Sequence, residues 1–380
     1  MHIAPFGVEM WMNEFENHCE FNLAETCVAS ITVEQLLTLC GKDFSALSEL
    51  LSFKMTYGAI EGSDRLRDAI AALYDSQKRE NVLVTHGTIG ANALVHQTLV
   101  SRGDKVISVI PTYQQHYSIP ESIEADVCLL HLKPENDFLP DLDELRAMAT
   151  PDTRMIAINN PNNPTGSLMD KNMLEGIAEI AREIDAWVLC DEVYRGTDGE
   201  GSGATESIAD LYEKGISTAG MSKAFSLAGL RVGWLAAPTE VVERVMIHRD
   251  YNTISVGMID EHFAAMALEN HEAILGRSRQ ITRENRKILA DWVDNEPLIS
   301  WVPPKSGTTA LLKYALDMPS RDFCIKLLEE TGVMLLPGSA LEMEGWLRIG
   351  YANSADVLRD GLIRVSEFLS GQSGDLAANA

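Results

Sequence analysis

The sequence has few basic residues for its size and no paired cysteine motif. Its 380 residues include 31 Lys and Arg against 56 Asp and Glu, for a formal net charge of −25. Binding to nucleic acid requires clustered cations that displace counterions, so this balance argues against a nucleic-acid partner. The cysteines form no CxxC pair, which favours free thiols in a reducing cytoplasm over disulfides or a metal site. They are Cys19, Cys27, Cys40, Cys128, Cys190 and Cys324.

Long apolar runs are also missing. No stretch is long enough to span a bilayer, and the opening MHIAPFGVEMWMNEFENHCE lacks the basic start, apolar core and cleavage site of a signal peptide. We therefore expect a cytoplasmic protein with no membrane partner. The hydrophobic fraction of 46% and the charged fraction of 23% are ordinary for a globular protein. The length favours two lobes over one small domain.

Short apolar runs alternate with helical patterns from about Asn81 to Asp191. The runs NVLVT, KVISVI, DVCLLHL, MIAIN and AWVLCD are typical of buried strands. Between them, TIGANALVHQTLV, DLDELRAMA and KNMLEGIAEIAREI are typical of helices. This alternation predicts an α/β fold with a mostly parallel sheet and helices on both faces.

The C-terminal part predicts a second, smaller α+β domain. Beyond Thr239 the pattern is helical for a long stretch, and the helical segments RDFCIKLLEETG and ADVLRDGLIRVSEFL frame the apolar runs TALLKYA and GWLRIGYA. We expect residues 1–45 to pack on this small domain, which comprises residues 276–370. The large domain comprises residues 46–275, and the tail over residues 371–380 has nothing to bury and is predicted to be disordered.

Several polar residues follow the predicted strands. In an open parallel sheet, ligands collect at the carboxyl ends of the strands. VTHGTIGA joins the first strand to its helix through Gly87 and Thr88, a turn that can seat an anion. Tyr113 and His116 follow another strand in IPTYQQHY, INNPNNPTGS follows a third, and Asp191 ends a fourth in LCDEVYRG. Each feature alone is common in turns and cores, but their joint order along the chain is informative.

Two cations interrupt an apolar segment that we expect in the interior. STAGMSKAFSLAGLRVGW carries Lys223 and, eight positions later, Arg231. Burying an isolated ammonium or guanidinium is costly, so each cation needs a chemical partner. The segment therefore indicates a functional site.

In combination, NNPTG, DEVYR, SKAFSLAGLRVGW and WLRIGYA resemble the motifs of class I/II aminotransferases, which belong to fold type I of the pyridoxal-phosphate (PLP) enzymes. The resemblance extends from about Tyr57 to Arg348. It implies that the large domain binds pyridoxal 5'-phosphate. It also implies a small-molecule L-amino acid and a 2-oxo acid as substrates, and a homodimer with shared active sites.

The resemblance assigns roles to matching positions. Lys223 would form a Schiff base with the cofactor, Asp191 would pair with its pyridine nitrogen, and Tyr194 would hydrogen-bond to its phenolic oxygen. Because desolvation disfavours an ammonium, we expect a lowered pKa for Lys223. Arg348 would grip the substrate α-carboxylate beside Asn163. The other cofactor-binding positions are Gly87, Thr88, Ile89, Tyr113, Asn163, Ser222, Arg231 and, from the neighbouring subunit, Tyr57.

Two positions depart from the family pattern. Gly220 stands three residues before the lysine, where many relatives place a hydroxyl on the phosphate, so Ser222 or water must compensate. Near the N-terminus, EFNLAETCVAS replaces a glycine-rich stretch and brings Glu25 to the substrate side. Its carboxylate suits a cationic substrate side chain, and a purely structural role is the alternative. His116 either buttresses Asp191 or only packs.

The alternative function is a PLP-dependent lyase, cyclase or oxidase of a basic, arginine-like amino acid. The cofactor-binding residues do not separate it from an aminotransferase, because all these reactions begin with cleavage of the same Cα–H bond. Two further classes fit less well. An aminotransferase-like transcription regulator needs a DNA-binding module, for which we see no room before residue 50, and HGTIGA does not match the GxGxxG of NAD-binding proteins.

Overall fold

A computed structural model describes the backbone of residues 2–378 and the side chains of residues 2–372. The strands are β1 (Phe21–Asn22), β2 (Val82–His86), β3 (Lys105–Ile110), β4 (Asp126–His131), β5 (Thr153–Asn159), β6 (Trp187–Asp191), β7 (Gly215–Gly220), β8 (Val232–Ala236), β9 (Ile299–Trp301), β10 (Thr309–Tyr314), β11 (Val333–Met334), β12 (Leu336–Pro337) and β13 (Trp346–Gly350). The α-helices are α1 (Gly7–Phe15), α2 (Val33–Leu39), α3 (Asp64–Ala71), α4 (Gly87–Leu99), α5 (Gln115–Ser122), α6 (Leu142–Met148), α7 (Lys171–Glu183), α8 (Ile208–Leu211), α9 (Thr239–Arg249), α10 (Met258–Glu269), α11 (His271–Asn295), α12 (Ser320–Thr331) and α13 (Ala355–Ala378).

A seven-stranded sheet forms the centre of the large part of the protein, in the order β2-β8-β7-β6-β5-β3-β4. All neighbouring pairs are parallel except those of β8, which is antiparallel to both β2 and β7. Val106 and Met155 belong to a buried cluster with α4 and α9, whereas Ile107 and Ile156 pack with α7. Because successive strand residues face opposite sides, both faces carry helices. The predicted α/β fold is confirmed.

Sequence patterns did not reveal β7 and β8 as separate strands. β7 reads GISTAG, which is fully buried but poor in large apolar residues. Its glycines allow close packing, because a Cβ at Gly215 would lie 2.2 Å from the carbonyl oxygen of Ile208. Strand β8 runs antiparallel to β7, so no α-helix lies between them. The alternation of strands and helices that predicts the other strands is therefore missing here. The loop of residues 221–231 between them carries Lys223.

The C-terminal part contains a four-stranded antiparallel sheet in the order β12-β13-β10-β9. β1 pairs in parallel with β11, which ties the N-terminal segment to this part. The same segment also reaches the large sheet, since the backbone N–H of Gly7 donates to Gln114 Oε1 at 2.8 Å. The domain bounds given above stay a prediction. α13 runs to Ala378 and so is helical within the tail predicted to be disordered, while Met1, Asn379 and Ala380 lie outside the described residues.

The described residues contain neither a membrane-spanning helix nor a metal-binding cluster. Within residues 2–378, no helix combines the length and the apolar character that crossing a membrane requires. The same part of the chain brings no three His, Cys, Asp or Glu side chains together in a way that could hold a metal ion. All six cysteines are free thiols.

Candidate active site

A cavity of about 410 Å³ opens at the carboxyl ends of the central strands. It is formed by residues that lie far apart in the sequence, from α1 to β13. Most predicted site residues line it. They are Glu25, Thr88, Ile89, Tyr113, Asn163, Asp191, Tyr194, Ser222, Lys223, Arg231 and Arg348.

One end of the cavity is built for an anion. α4 begins at Gly87, directly after β2, so its first backbone N–H groups point towards the cavity. Arg231 lies beside this helix start: a Cβ at Gly87 would come within 2.8 Å of Arg231 Nη2. Arg231 Nη1 also lies 3.4 Å from Ser222 Oγ, and the buried hydroxyl of Thr88 has no hydrogen-bond partner. These donors suit a phosphate group.

The expectation that both cations are buried is wrong. Arg231 is exposed, and the side chain of Lys223 is 25% exposed. The apolar residues around them do enter the core, as Met221 and Ala224 show. The loop between β7 and β8 thus turns its apolar side chains inward and its cations towards the open cavity.

Gly220 is explained by its neighbour on α4. A Cβ at Gly220 would lie 2.6 Å from Thr88 Oγ1, closer than real contacts allow. Thr88 therefore occupies the space that a side chain at position 220 would need, and its unpartnered hydroxyl is available as the donor that Gly220 cannot supply. The sequence prediction that Ser222 or water compensates overlooked Thr88 in this role.

We expect Gly220→Ser to destabilise the protein by about 1–3 kcal/mol, because it overpacks this contact. In the Thr88→Ala background the same change should cost less, since the clashing oxygen is gone. Denaturant unfolding of the two single variants and the double variant measures the coupling free energy between positions 88 and 220. Equilibrium dialysis measures the affinity of each variant for the cofactor. If the stability losses of the two single variants simply add in the double variant, the proposed clash between Thr88 and a side chain at position 220 is contradicted.

Asp191 is buried at the end of β6 and held by specific donors. Its Oδ2 accepts a hydrogen bond from Asn92 Nδ2 at 2.7 Å, and its Oδ1 accepts the backbone N–H of Val193 at 3.1 Å. Asn92 Oδ1 accepts in turn from Thr218 at 2.6 Å. Asn92 was not predicted from the sequence. Its signal was a row of polar residues at four-residue spacing on one face of α4, namely Thr88, Asn92 and His96.

Two buried histidines stand behind Asp191. His116 Nε2 lies 3.7 Å from Asp191 Oδ2, and His116 Nδ1 lies 3.4 Å from His96 Nε2. Burial and the neighbouring His116 hold the pKa of His96 well below its ordinary value, so His96 is neutral. His116 thus lies within ion-pair distance of Asp191 although its Nε2 makes no hydrogen bond, and its role as a buttress or a packing residue stays a prediction.

Lys223 contacts the N-terminal segment. Its Nζ donates to Thr26 Oγ1 at 2.6 Å and lies 3.4 Å from Cys27 Sγ and 4.0 Å from Glu25 Oε1. Burial by itself would lower the pKa of Lys223, but Cys27, Tyr194 and Glu25 outweigh it and raise the pKa above the ordinary value. The prediction that burial lowers the pKa of Lys223 is therefore wrong. Burial also raises the pKa of the Cys27 thiol to about 11, so the thiol is neutral near pH 7.

Arg348 is a buried cation with an unsatisfied donor. It is 2% exposed, and its Nη1 and Nη2 donate to Asn163 Oδ1 at 3.2 Å and to the Ala24 carbonyl at 2.9 Å. Its Nε has no partner, and among the described residues no carboxylate lies within ion-pair distance of the guanidinium. Burial lowers the pKa of Arg348, which reflects this cost. A bound carboxylate would satisfy it.

Two tyrosines line the cavity. Tyr194 is buried, and burial raises its pKa despite the nearby cations Lys223 and Arg348. Tyr113 donates its hydroxyl to Glu9 Oε1 at 2.9 Å, and its ring lies 4.8 Å from that of Phe6. Glu9 was missed because it precedes Tyr113 by 104 positions and lies in no recognisable motif.

Glu25 and Tyr57 have different positions relative to the cavity. Glu25 lines it, and its Oε1 also accepts the backbone N–H groups of Thr26 at 2.7 Å and Cys27 at 2.8 Å. Burial opposes its charge, but Lys223 and these donors lower the pKa of Glu25. Tyr57 is 75% exposed and does not line this cavity.

The residues of the cavity fit pyridoxal 5'-phosphate. Thr88, Ser222 and Arg231 surround a place for the phosphate, and the carboxylate of Asp191 lies deeper in the same cavity. The unpartnered hydroxyl of Thr88 and the unpartnered Nε of Arg348 are the kind of buried donors that a bound anion satisfies. When bound, this cofactor withdraws electrons from the Cα of an amino acid attached to it.

Comparison with known proteins agrees with this geometry. A family model described as "Aminotransferase class I and II" matches residues 52–364. The chain is 30% identical to capreomycidine synthase of Streptomyces vinaceus, over 95% of this chain and 93% of that protein. It is 31% identical to an aspartate aminotransferase of Pyrococcus horikoshii, over 82% of each. The crystal structure of a PLP-dependent aminotransferase from Streptococcus suis superimposes with a TM-score of 0.94 at 42% identity, over 97% of this chain and 98% of that one.

The family match extends over most of the chain and includes the cavity residues from Thr88 to Arg348, whereas the N-terminal wall of the cavity precedes the matched residues. The sequence, the fold and the cavity thus lead to one assignment. The chain belongs to the class I and II aminotransferases, transferases of fold type I whose cofactor is pyridoxal 5'-phosphate.

Proposed function

We propose that this protein transfers the amino group of a small L-amino acid to a 2-oxo acid, with Lys223 as the residue that joins the cofactor and moves the proton at the substrate Cα. The observation that carries this proposal is the shared cavity of an amine, a fixed carboxylate and a buried guanidinium with an unsatisfied N–H. They belong to Lys223, Asp191 and Arg348.

The proposed roles follow from the position of each side chain. Asp191, fixed by Asn92, would face the ring nitrogen of the cofactor and stabilise its protonated form. Tyr194 and Asn163 would hydrogen-bond to its phenolic oxygen, and Tyr113 would cover the ring face. The phosphate would be held by Gly87, Thr88, Ile89, Ser222 and Arg231.

Two side chains, Arg348 and Lys223, would orient the substrate. Arg348 would bind its α-carboxylate through the free Nε, with Asn163 holding the guanidinium in place. Lys223 would then stand near the Cα, where its amine can accept and return a proton. Since Thr26 accepts a hydrogen bond from Lys223, it would position the amine when the lysine is free.

A second candidate is a PLP-dependent lyase, cyclase or oxidase of a basic amino acid. It is supported by the similarity to capreomycidine synthase and by Glu25 on the cavity wall. The cofactor-binding residues serve both candidates, because both require proton removal from the same carbon. The reaction therefore has to be identified by its products.

An anaerobic single-turnover experiment distinguishes the two. The holoenzyme is mixed with each of the twenty amino acids, and the absorbance of the cofactor is followed. We expect one group of amino acids to convert it to its amino form, and a 2-oxo acid to restore the starting spectrum. Release of free ammonia, or of peroxide once oxygen is admitted, would contradict transamination, because a transaminase keeps the amino group on the cofactor until the 2-oxo acid takes it.

We also propose a homodimer in which Tyr57 reaches the partner's phosphate site. Its support is a set of exposed large apolar side chains, with Leu51, Met55 and Tyr57 in one segment and Tyr251 in another, the last of them 93% exposed. Monomeric proteins rarely leave large apolar surfaces open. Sedimentation velocity measures the assembly, and a monomer would contradict it. The free state of all six cysteines supports the proposed cytoplasmic location.

A further inference from the structure

Three carboxylates lie on the N-terminal wall of the cavity. Glu9 is on α1, Glu16 follows the end of that helix, and Glu25 follows β1. All three line the same cavity as Arg348. The sequence analysis had singled out only Glu25.

Only one of these carboxylates, Glu25, has a cationic partner. Glu9 accepts a hydrogen bond from Tyr113, and Glu25 lies 4.0 Å from Lys223. Among the described residues, no Lys, Arg or His lies within ion-pair distance of Glu9 or Glu16. Burial, followed by repulsion from Glu25 and Glu9, raises the pKa of Glu16, so the three groups share one electrostatic environment.

The charge balance becomes more negative when the site is loaded. Under the proposed function, on which this inference rests, Arg231 is neutralised by the phosphate and Arg348 by the substrate α-carboxylate. Lys223 would be joined to the cofactor before the substrate binds and would be a neutral amine once the substrate has displaced it, so it offers Glu25 no ammonium until it accepts the Cα proton. The three carboxylates then face the far end of the substrate with no cation of the described residues to balance them.

We propose that the amino donor is an amino acid with a cationic side chain, whose α-carboxylate binds Arg348 and whose guanidinium or ammonium group lies among Glu9, Glu16 and Glu25. The unpartnered Nε of the buried Arg348 is the independent sign of a ligand in this cavity. Arg348 would hold the α-carboxylate end of the substrate, and the other end would lie against the three carboxylates of the N-terminal wall.

The test compares L-arginine with L-citrulline, its neutral isostere, as donors to the holoenzyme. We expect kcat/KM to be at least about ten-fold higher for arginine, because several carboxylates act on one charge. Glu9→Gln, Glu16→Gln and Glu25→Gln should each lower this ratio about two- to five-fold, as expected for partly exposed ion pairs. The matched control is Glu14→Gln, on the same helix but paired with Arg321 at 3.0 Å outside the cavity, and it should leave the ratio unchanged.

A binding measurement separates this inference from the proposed reaction. Guanidinovalerate and its neutral isostere ureidovalerate lack the α-amine, so they bind without reacting, and calorimetry with the holoenzyme gives both affinities. Tighter binding of guanidinovalerate without transamination of any of the twenty amino acids would reject the proposed reaction and keep the cationic ligand. Equal affinities together with equal use of arginine and citrulline would overturn the inference.

Discussion

The Lys223→Ala variant is expected to bind pyridoxal phosphate without the visible absorbance of the wild-type holoenzyme and to lose about 10⁴-fold or more in kcat. Under the proposed function the amine both joins the cofactor and moves the substrate proton, so alanine would remove two functions at once. The fold should persist, because the side chain is 25% exposed and its direct contacts are with Thr26 and Cys27. Absorbance spectra, circular dichroism and single-turnover kinetics measure these three effects.

Two further variants define the role of Lys223. Lys223→Arg keeps a positive charge near Glu25 but cannot join the cofactor, and we expect it to be as inactive as the alanine variant. Lys171→Ala is the control, since this exposed lysine faces Glu206 at 3.9 Å and does not line the cavity. A wild-type spectrum for Lys223→Ala would remove Lys223 from the proposed role.

The Arg348→Lys variant is expected to lose about 10²- to 10³-fold in kcat/KM, the cost of disrupting a buried charge pair. Lysine keeps the charge but cannot donate to Asn163, to the Ala24 carbonyl and to a carboxylate in the planar geometry of a guanidinium. Because donor and acceptor both carry a carboxylate, the KM values of the amino acid and the 2-oxo acid should rise together.

Steady-state kinetics with both substrates varied checks this pattern. Cofactor affinity serves as the control, since the proposed phosphate site lies at the end of the cavity near Arg231 and should be almost unaffected. A rise in KM for only one substrate would contradict a carboxylate site at Arg348. A general loss of cofactor affinity would indicate a structural role for Arg348 instead.

The sequence alone determined the fold class and the strand ends that carry the chemistry. Alternating strands and helices place Thr88, Tyr113, Asn163 and Asp191 at one edge of the sheet, because parallel strands all end on the same side. The loop with Lys223 was recognisable because motif and spacing lie within one short segment.

Only the tertiary structure decided how distant segments complete the site. Thr26 and Lys223 are 197 positions apart, and Asn163 and Arg348 are 185 positions apart, so no local pattern could indicate their hydrogen bonds. The open cavity, rather than the apolar sequence around them, sets the exposure of Lys223 and Arg231. The pKa of Lys223 is likewise raised instead of lowered, since neighbours from the N-terminal segment outweigh burial. Packing between remote loops fixes these distances, and electrostatic interactions depend on distance rather than on order along the chain.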